Sequence, residues 1–216
     1  MVVLRYLLVI LLFSTSVEAW DFGLNGRSSS GYCSDPASTT YVLDGSVDAY
    51  PVSRGGETFG FTATDVDNAR DRDSGLDCRL AGVVFQRNDG NFSTIRIDLP
   101  APGTYDIRLA IGESSNARPD QQVEILDNAT SKFTITSSTL AADTWIDANG
   151  NVRTSASDWT SNNTARSVTF ASSILIIKLG TTANLGGGES RSVLAHIRVT
   201  SAGSSVPPCM LAGVCR

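Results

Sequence analysis

The densest run of chemistry-bearing residues is Asp65-Val-Asp67-Asn-Ala-Arg70-Asp71-Arg72-Asp73, followed by Asp77 and Arg79. Guanidinium forks alternating with carboxylates offer planar, bidentate hydrogen bonds of the kind that recognise ligand hydroxyls. Arg70, Asp71 and Arg72 are therefore candidate ligand contacts. The same alternation lets the loop pair with itself and pin the neighbouring strands, and a charged run is commonly just solvated. A second run, Trp145-Ile-Asp147-Ala-Asn149-Gly-Asn151-Val-Arg-Thr-Ser155-Ala-Ser-Asp158-Trp159, spaces its side-chain oxygens roughly as a twelve-residue calcium loop does. Asp147, Asn149, Asn151 and Asp158 are the candidate Ca2+ ligands. Val152 stands where such a loop needs Gly, and Asp158 where it needs Glu, so an Asn-Gly turn is the competing reading. Trp145 and Trp159 bracket this run and have the large apolar faces on which sugar rings stack; large aromatics also fill cores.

Catalytic constellations are harder to find. His196 is the single histidine, and it sits in an alternating segment, Val193-Leu-Ala-His-Ile-Arg-Val. No Gly-x-Ser-x-Gly is present, and no Ser or Cys has an evident histidine partner. Carboxylates abound, which keeps a small secreted hydrolase open on composition alone. The expectation is a protein that is not an enzyme.

The N-terminus pairs Arg5 with an apolar run, Tyr6 to Phe13, and a small-residue stop at Val17-Glu-Ala19. That pattern predicts a secretory signal peptide over residues 1–19. The apolar run is shorter than the roughly 20 residues a spanning helix needs, so no membrane span is expected after cleavage. Export puts Cys33, Cys78, Cys209 and Cys215 in an oxidising compartment, where an even count reads as disulfides. Four cysteines allow three pairings; Cys209 and Cys215 can close a short loop, which leaves Cys33 with Cys78. Net charge is −5 with both signs interspersed, which argues against nucleic acid as a partner. Three Asn-x-Ser/Thr sequons, at Asn91, Asn128 and Asn162, mark surface turns if the host glycosylates its exported proteins.

Short strands must position these groups. Residues 92–99, 105–111, 122–126, 132–136, 166–170, 174–179 and 193–199 alternate apolar with polar and are punctuated by Gly, Pro, Asn and Ser. Leu99-Pro-Ala-Pro-Gly-Thr and Ile146-Asp-Ala-Asn-Gly-Asn-Val read as hairpin connections. No stretch of ten or more residues keeps a helical face. The prediction is an all-β, antiparallel sandwich over residues 20–200, wrapped by a looser 20–56, with a disulfide-clipped tail at 201–216.

The blocks Asp21-Phe-Gly, Gly60-Phe-Thr, Ala69-Arg-Asp-Arg-Asp-Ser, Ile97-Asp-Leu-Pro-Ala-Pro-Gly-Thr-Tyr and Leu194-Ala-His-Ile-Arg-Val, in this order, resemble galactose-binding-like and malectin-like carbohydrate-binding modules. Such modules are found attached to bacterial polysaccharide esterases and lyases. The resemblance implies a jelly-roll β-sandwich that binds a glycan or polysaccharide. It also implies an aromatic pair near Gly60-Phe61-Thr62, often with Trp, which this chain lacks. The other expectation is a structural or self-assembling extracellular or virion surface protein, since no enzyme is attached.

Overall fold

A computed structural model describes residues 19–25, 39–44, 48–63, 69–71, 80, 82–86, 92–154, 158–159, 161–180 and 192–202. The expected leader up to residue 18, Arg72, and all four cysteines lie outside the described residues. By its internal contacts the chain divides into Glu18–Ala202 and a second unit of Met1–Val17 with Gly203–Arg216.

Among the described residues sixteen strands follow one another: β1 (Ala19–Asn25), β2 (Thr39–Asp44), β3 (Val52–Arg54), β4 (Glu57–Ala63), β5 (Ala69–Asp71), β6 (Gly82–Phe85), β7 (Ser93–Asp98) and β8 (Gly103–Ala110). Then come β9 (Arg118–Asp127), β10 (Thr130–Leu140), β11 (Trp145–Ile146), β12 (Val152–Arg153), β13 (Arg166–Phe170), β14 (Ile174–Leu179), β15 (Val193–Leu194) and β16 (His196–Ser201). No α-helix occurs among the described residues. Five strands form one sheet in the order β13-β8-β16-β1-β2, and six form the other in the order β10-β9-β14-β7-β4-β3. Two small sheets, β15-β6-β5 and β11-β12, flank them.

Alternation creates the sandwich. In β7 and β14 every second residue is buried, so each strand has one apolar and one polar face. The inward set of the six-stranded sheet (Phe59, Ile95, Ile97, Ile125, Leu175, Ile177) meets the inward set of the five-stranded sheet (Phe22, Ile107, Leu109, Val168, Ile197, Val199) in one continuous core. Burying so many side chains, at about 1.5–3 kcal/mol each, is the main force holding the sheets together.

The fold departs from the sequence expectation in two places. β1 and β2 run parallel, with residues 26–38 between them, a length suited to the crossover that a parallel pair requires. The Leu99-Pro-Ala-Pro connection is not a hairpin: β7 belongs to the six-stranded sheet and β8 to the five-stranded one. Pro100 and Pro102 have no N–H to give a ladder, and they sit where the chain leaves one sheet for the other. Tyr105 closes the corner by donating its hydroxyl to the Ala101 carbonyl at 2.8 Å. The second expected hairpin stands: β11 pairs with β12, and Gly150 takes the left-handed φ of 84° that the turn demands. A further hairpin, β9–β10, turns at Asn128-Ala129.

Candidate functional site

Of the candidate ligand contacts, Arg70 and Asp71 lie in β5, which pairs with β6 in the three-stranded sheet. Arg72 falls outside the described residues.

Trp145 and Trp159 do not form a stacking platform; they are 2% and 1% exposed. Their rings lie 5.6 Å apart, and Trp159 meets the His196 ring edge-on at 4.6 Å. With Leu80, Val83, Phe85 and Val193 they fill a second core beneath the three-stranded sheet. A ring with no accessible face cannot receive a sugar, so the two tryptophans are corrected from ligand contacts to core residues. His196 is buried there as well.

The candidate calcium ligands Asp147, Asn149 and Asn151 take part in a turn. Asp147 is 0% exposed, and one carboxylate oxygen accepts the backbone N–H groups of Asn149 and Asn151 at 2.8 and 3.0 Å. Its other oxygen accepts from Arg153 Nε and Nη2 at 2.8 and 2.6 Å. Asn149 turns its amide away to donate to the carbonyls of Asn163 and Ala165. Asp158 accepts the Ser161 N–H with its backbone carbonyl, at a 3-10 turn leading to Asn162–Thr164.

One set of polar groups that reach solvent together lies on the outer face of the six-stranded sheet. Along β7 the outward residues are Thr94, Arg96 and Asp98, continuing the parity of Phe92 just before it. Across from them on β14 stand Lys178, Ile176 and Ile174, and beyond these on β9 stand Glu124 and Leu126. All are partly exposed. Arg96 donates from Nε to Asp98 at 2.7 Å, and Lys178 lies 3.5 Å from Glu124.

Two aromatic rings border this stripe. Lys178 Nζ sits 3.8 Å from the Phe92 ring centre, and the Arg96 guanidinium lies 4.5 Å from that of Tyr50. The Tyr50 hydroxyl donates to Asp98 at 2.9 Å. Burial, reinforced by that hydrogen bond to Asp98, raises the phenol above its ordinary pKa. The Asp98 hydrogen bond likewise raises the Arg96 guanidinium. Tyr50, Arg96 and Asp98 thus hold one another in a fixed arrangement.

Gly60 makes the arrangement possible. It pairs with Arg96 across β4 and β7, with φ at 145°. A Cβ there would stand 2.8 Å from the Asp48 carbonyl and from the backbone of Tyr50. Because Gly60 has no side chain, the segment Asp48–Tyr50 crosses over the sheet at this point, bonded to both sides of Phe61. Its passage brings the Tyr50 ring to Arg96. Phe61 itself is core. The segment thus brings an aromatic ring, Tyr50, beside Gly60. An isolated glycine in an alternating strand signals close backbone approach, and that signal could have directed attention here.

Neither a family model nor a curated protein matches the chain. Several solved structures do. One is the Bacillus subtilis protein YxiM, at 15% identity over 85% of this chain and 40% of that one, with a TM-score of 0.49. Another is an isomaltodextranase of Arthrobacter globiformis T6 complexed with panose, at 16% identity over 66% of this chain and 22% of that one, with a TM-score of 0.33. A third is a cycloisomaltooligosaccharide glucanotransferase of Paenibacillus sp. complexed with cycloisomaltoheptaose, at 13% identity over 77% of this chain and 20% of that one, with a TM-score of 0.33. The chain spans less than half the length of each of these proteins.

Proposed function

We propose that this chain is an exported, non-catalytic, galactose-binding-like jelly-roll module that binds a polysaccharide along β7 on the outer face of the six-stranded sheet. The supporting observation is the stripe itself: two partly exposed rings, each with a cation against one face, joined by hydrogen-bonding side chains on one face of the sheet. Phe92 and Arg96 are four residues apart on one strand, about 13 Å, which suits an oligosaccharide better than a single sugar. Its cations, Arg96 and Lys178, are matched by Asp98 and Glu124, so the surface favours a neutral glycan. The cation contacts fix both rings before the ligand arrives, which lowers the entropy cost of binding.

A glycan array followed by calorimetry tests the reading. Tyr50→Ala is expected to weaken binding about tenfold, the loss of roughly 1.4 kcal/mol of ring contact, while the melting temperature moves little. Arg70→Ala is the rival arm. If it abolishes binding and Tyr50→Ala does not, the ligand belongs on the three-stranded sheet instead. No binding to any neutral polysaccharide removes the proposal.

One observation favours self-assembly as a second reading. β10 is an edge strand of eleven residues, and Phe133–Leu140 contains no charge, Pro or Gly. Long unguarded edges pair with other chains. Light scattering that finds only monomer at high concentration counts against it.

A further inference from the structure

The three sequons have different fates in the fold. Ser93, which completes the sequon of Asn91, is buried and donates its hydroxyl to the Phe85 carbonyl at 2.8 Å. Thr164, which completes that of Asn162, is buried and donates to the Ser161 carbonyl at 2.7 Å. Asn128, Ala129 and Thr130 are all exposed.

They form the tip of the β9–β10 hairpin, closed by the pairing of Asp127 with Thr130. Asn128 takes a left-handed φ of 53°, a conformation asparagine tolerates, and its N–H donates to the Ile174 carbonyl at 3.0 Å. Asp127 fastens the tip to the turn between β13 and β14 by accepting from the N–H groups of Ala171 and Ser172 and from the Ser172 hydroxyl. A shallow hollow of about 260 Å³ lies between the two turns, lined by Asp127 to Thr130, Ala171 and Ser172. The acceptor amide and the sequon hydroxyl are therefore held in solvent on an anchored hairpin.

We propose that Asn128 is an N-glycan acceptor, on a surface where the glycan leaves the fold undisturbed. The inference rests on the export reading, because the transfer occurs only in a secretory compartment. The donor class is an oligosaccharide carried on a lipid pyrophosphate. Asn128 Nδ2 forms a bond to the sugar C1, the C1–O bond to the pyrophosphate breaks, and the lipid pyrophosphate leaves. The amide proton lost passes to a base of the transferase. A sequon hydroxyl that is buried in the finished fold is usable only before folding; Thr130 stays available afterwards.

The test expresses the full chain in a eukaryotic secretory host in two forms, one with its own residues 1–19 and one with a heterologous leader replacing them. Intact mass is compared before and after peptide N-glycosidase treatment without denaturant, and the deamidated site is mapped. One releasable glycan at Asn128 is expected, lost in both Asn128→Gln and Thr130→Ala. Thr130→Ala keeps the Asn128 turn residue and covers the case in which Asn128→Gln misfolds. An unmodified Asn128 in the heterologous-leader form overturns the inference, as does a glycan carried at Asn91 or Asn162 in its place. A glycan at Asn128 with the heterologous leader, but no secretion with the native residues, supports the site and removes the export reading.

Discussion

Asp127→Asn should remove about 2 kcal/mol of stability at neutral pH, with a pH signature that identifies the cause. The carboxylate is 6% exposed and accepts hydrogen bonds from Ala171 N at 2.7 Å, Ser172 N at 3.1 Å and the Ser172 hydroxyl, with Lys132 Nζ at 3.2 Å. The Ser172 hydrogen bond, followed by the backbone donors and Lys132, outweighs the opposing effect of burial and lowers the group from 3.8 to about 2. Each unit of difference between folded and unfolded chain corresponds to about 1.4 kcal/mol, hence roughly 2 kcal/mol in total. Because the folded value is the lower one, this stabilisation is complete above about pH 4 and disappears as pH falls through about 2. Urea unfolding, followed by the fluorescence of the buried tryptophans, measures it at a series of pH values. Other carboxylates titrate in both proteins, so the readout is the difference between them. That difference should be widest at pH 7 and narrow between pH 4 and 2. A gap that is the same at pH 7 and pH 2 refutes the charge argument and leaves only altered packing.

Gly60→Ala should cost roughly 1–3 kcal/mol by chemical denaturation, since its Cβ meets backbone rather than a yielding side-chain tip. It should also weaken glycan binding, because Tyr50 rides on the displaced segment; unchanged affinity would detach Tyr50 from the site. Glu113→Ala should cost about 3–5 kcal/mol, because it strands the buried Arg118 that Glu113 holds at 2.6 Å. Adding Arg118→Met should recover much of the loss; a double variant as unstable as the single one contradicts this account.

Strands were the legible part of the sequence. Their alternation is the burial pattern itself: Ser93, Ile95 and Ile97 point inward while Thr94, Arg96 and Asp98 point outward. Which sheet a strand joins is not a local property, so residues 99–102 read as a hairpin although they carry the chain between sheets. The tryptophans were misplaced for a related reason. A Trp at each end of a polar loop has the same local pattern whether the rings face water or each other. Only the tertiary neighbours, His196 and the strands of the three-stranded sheet, show that they face inward. Tyr50 was missed because it lies in a stretch without alternation. Its position beside Arg96 comes from a crossing over Gly60, and only the glycine leaves a mark in the sequence.

Residue type and exposure single out different parts of the molecule. Several of the polar groups buried in the fold satisfy one another. Glu113 holds Arg118, and Arg118 also lies 4.9 Å from the Phe85 ring centre. Gln121 accepts from Val193 N and Ser192 accepts from Gln122 N, each at 2.8 Å. Asp147 holds Arg153. Buried polar groups must be matched in this way or the fold pays for their desolvation, so their number there measures an architectural demand. On the outer face of the six-stranded sheet the requirement is relaxed. Arg96, Asp98, Lys178 and Glu124 are partly wet and would lose little by leaving the fold's service. These partly wet groups are held in register on inner strands of the six-stranded sheet. A ligand lying along β7 would meet strands whose spacing the core maintains rather than a loop that must be ordered first.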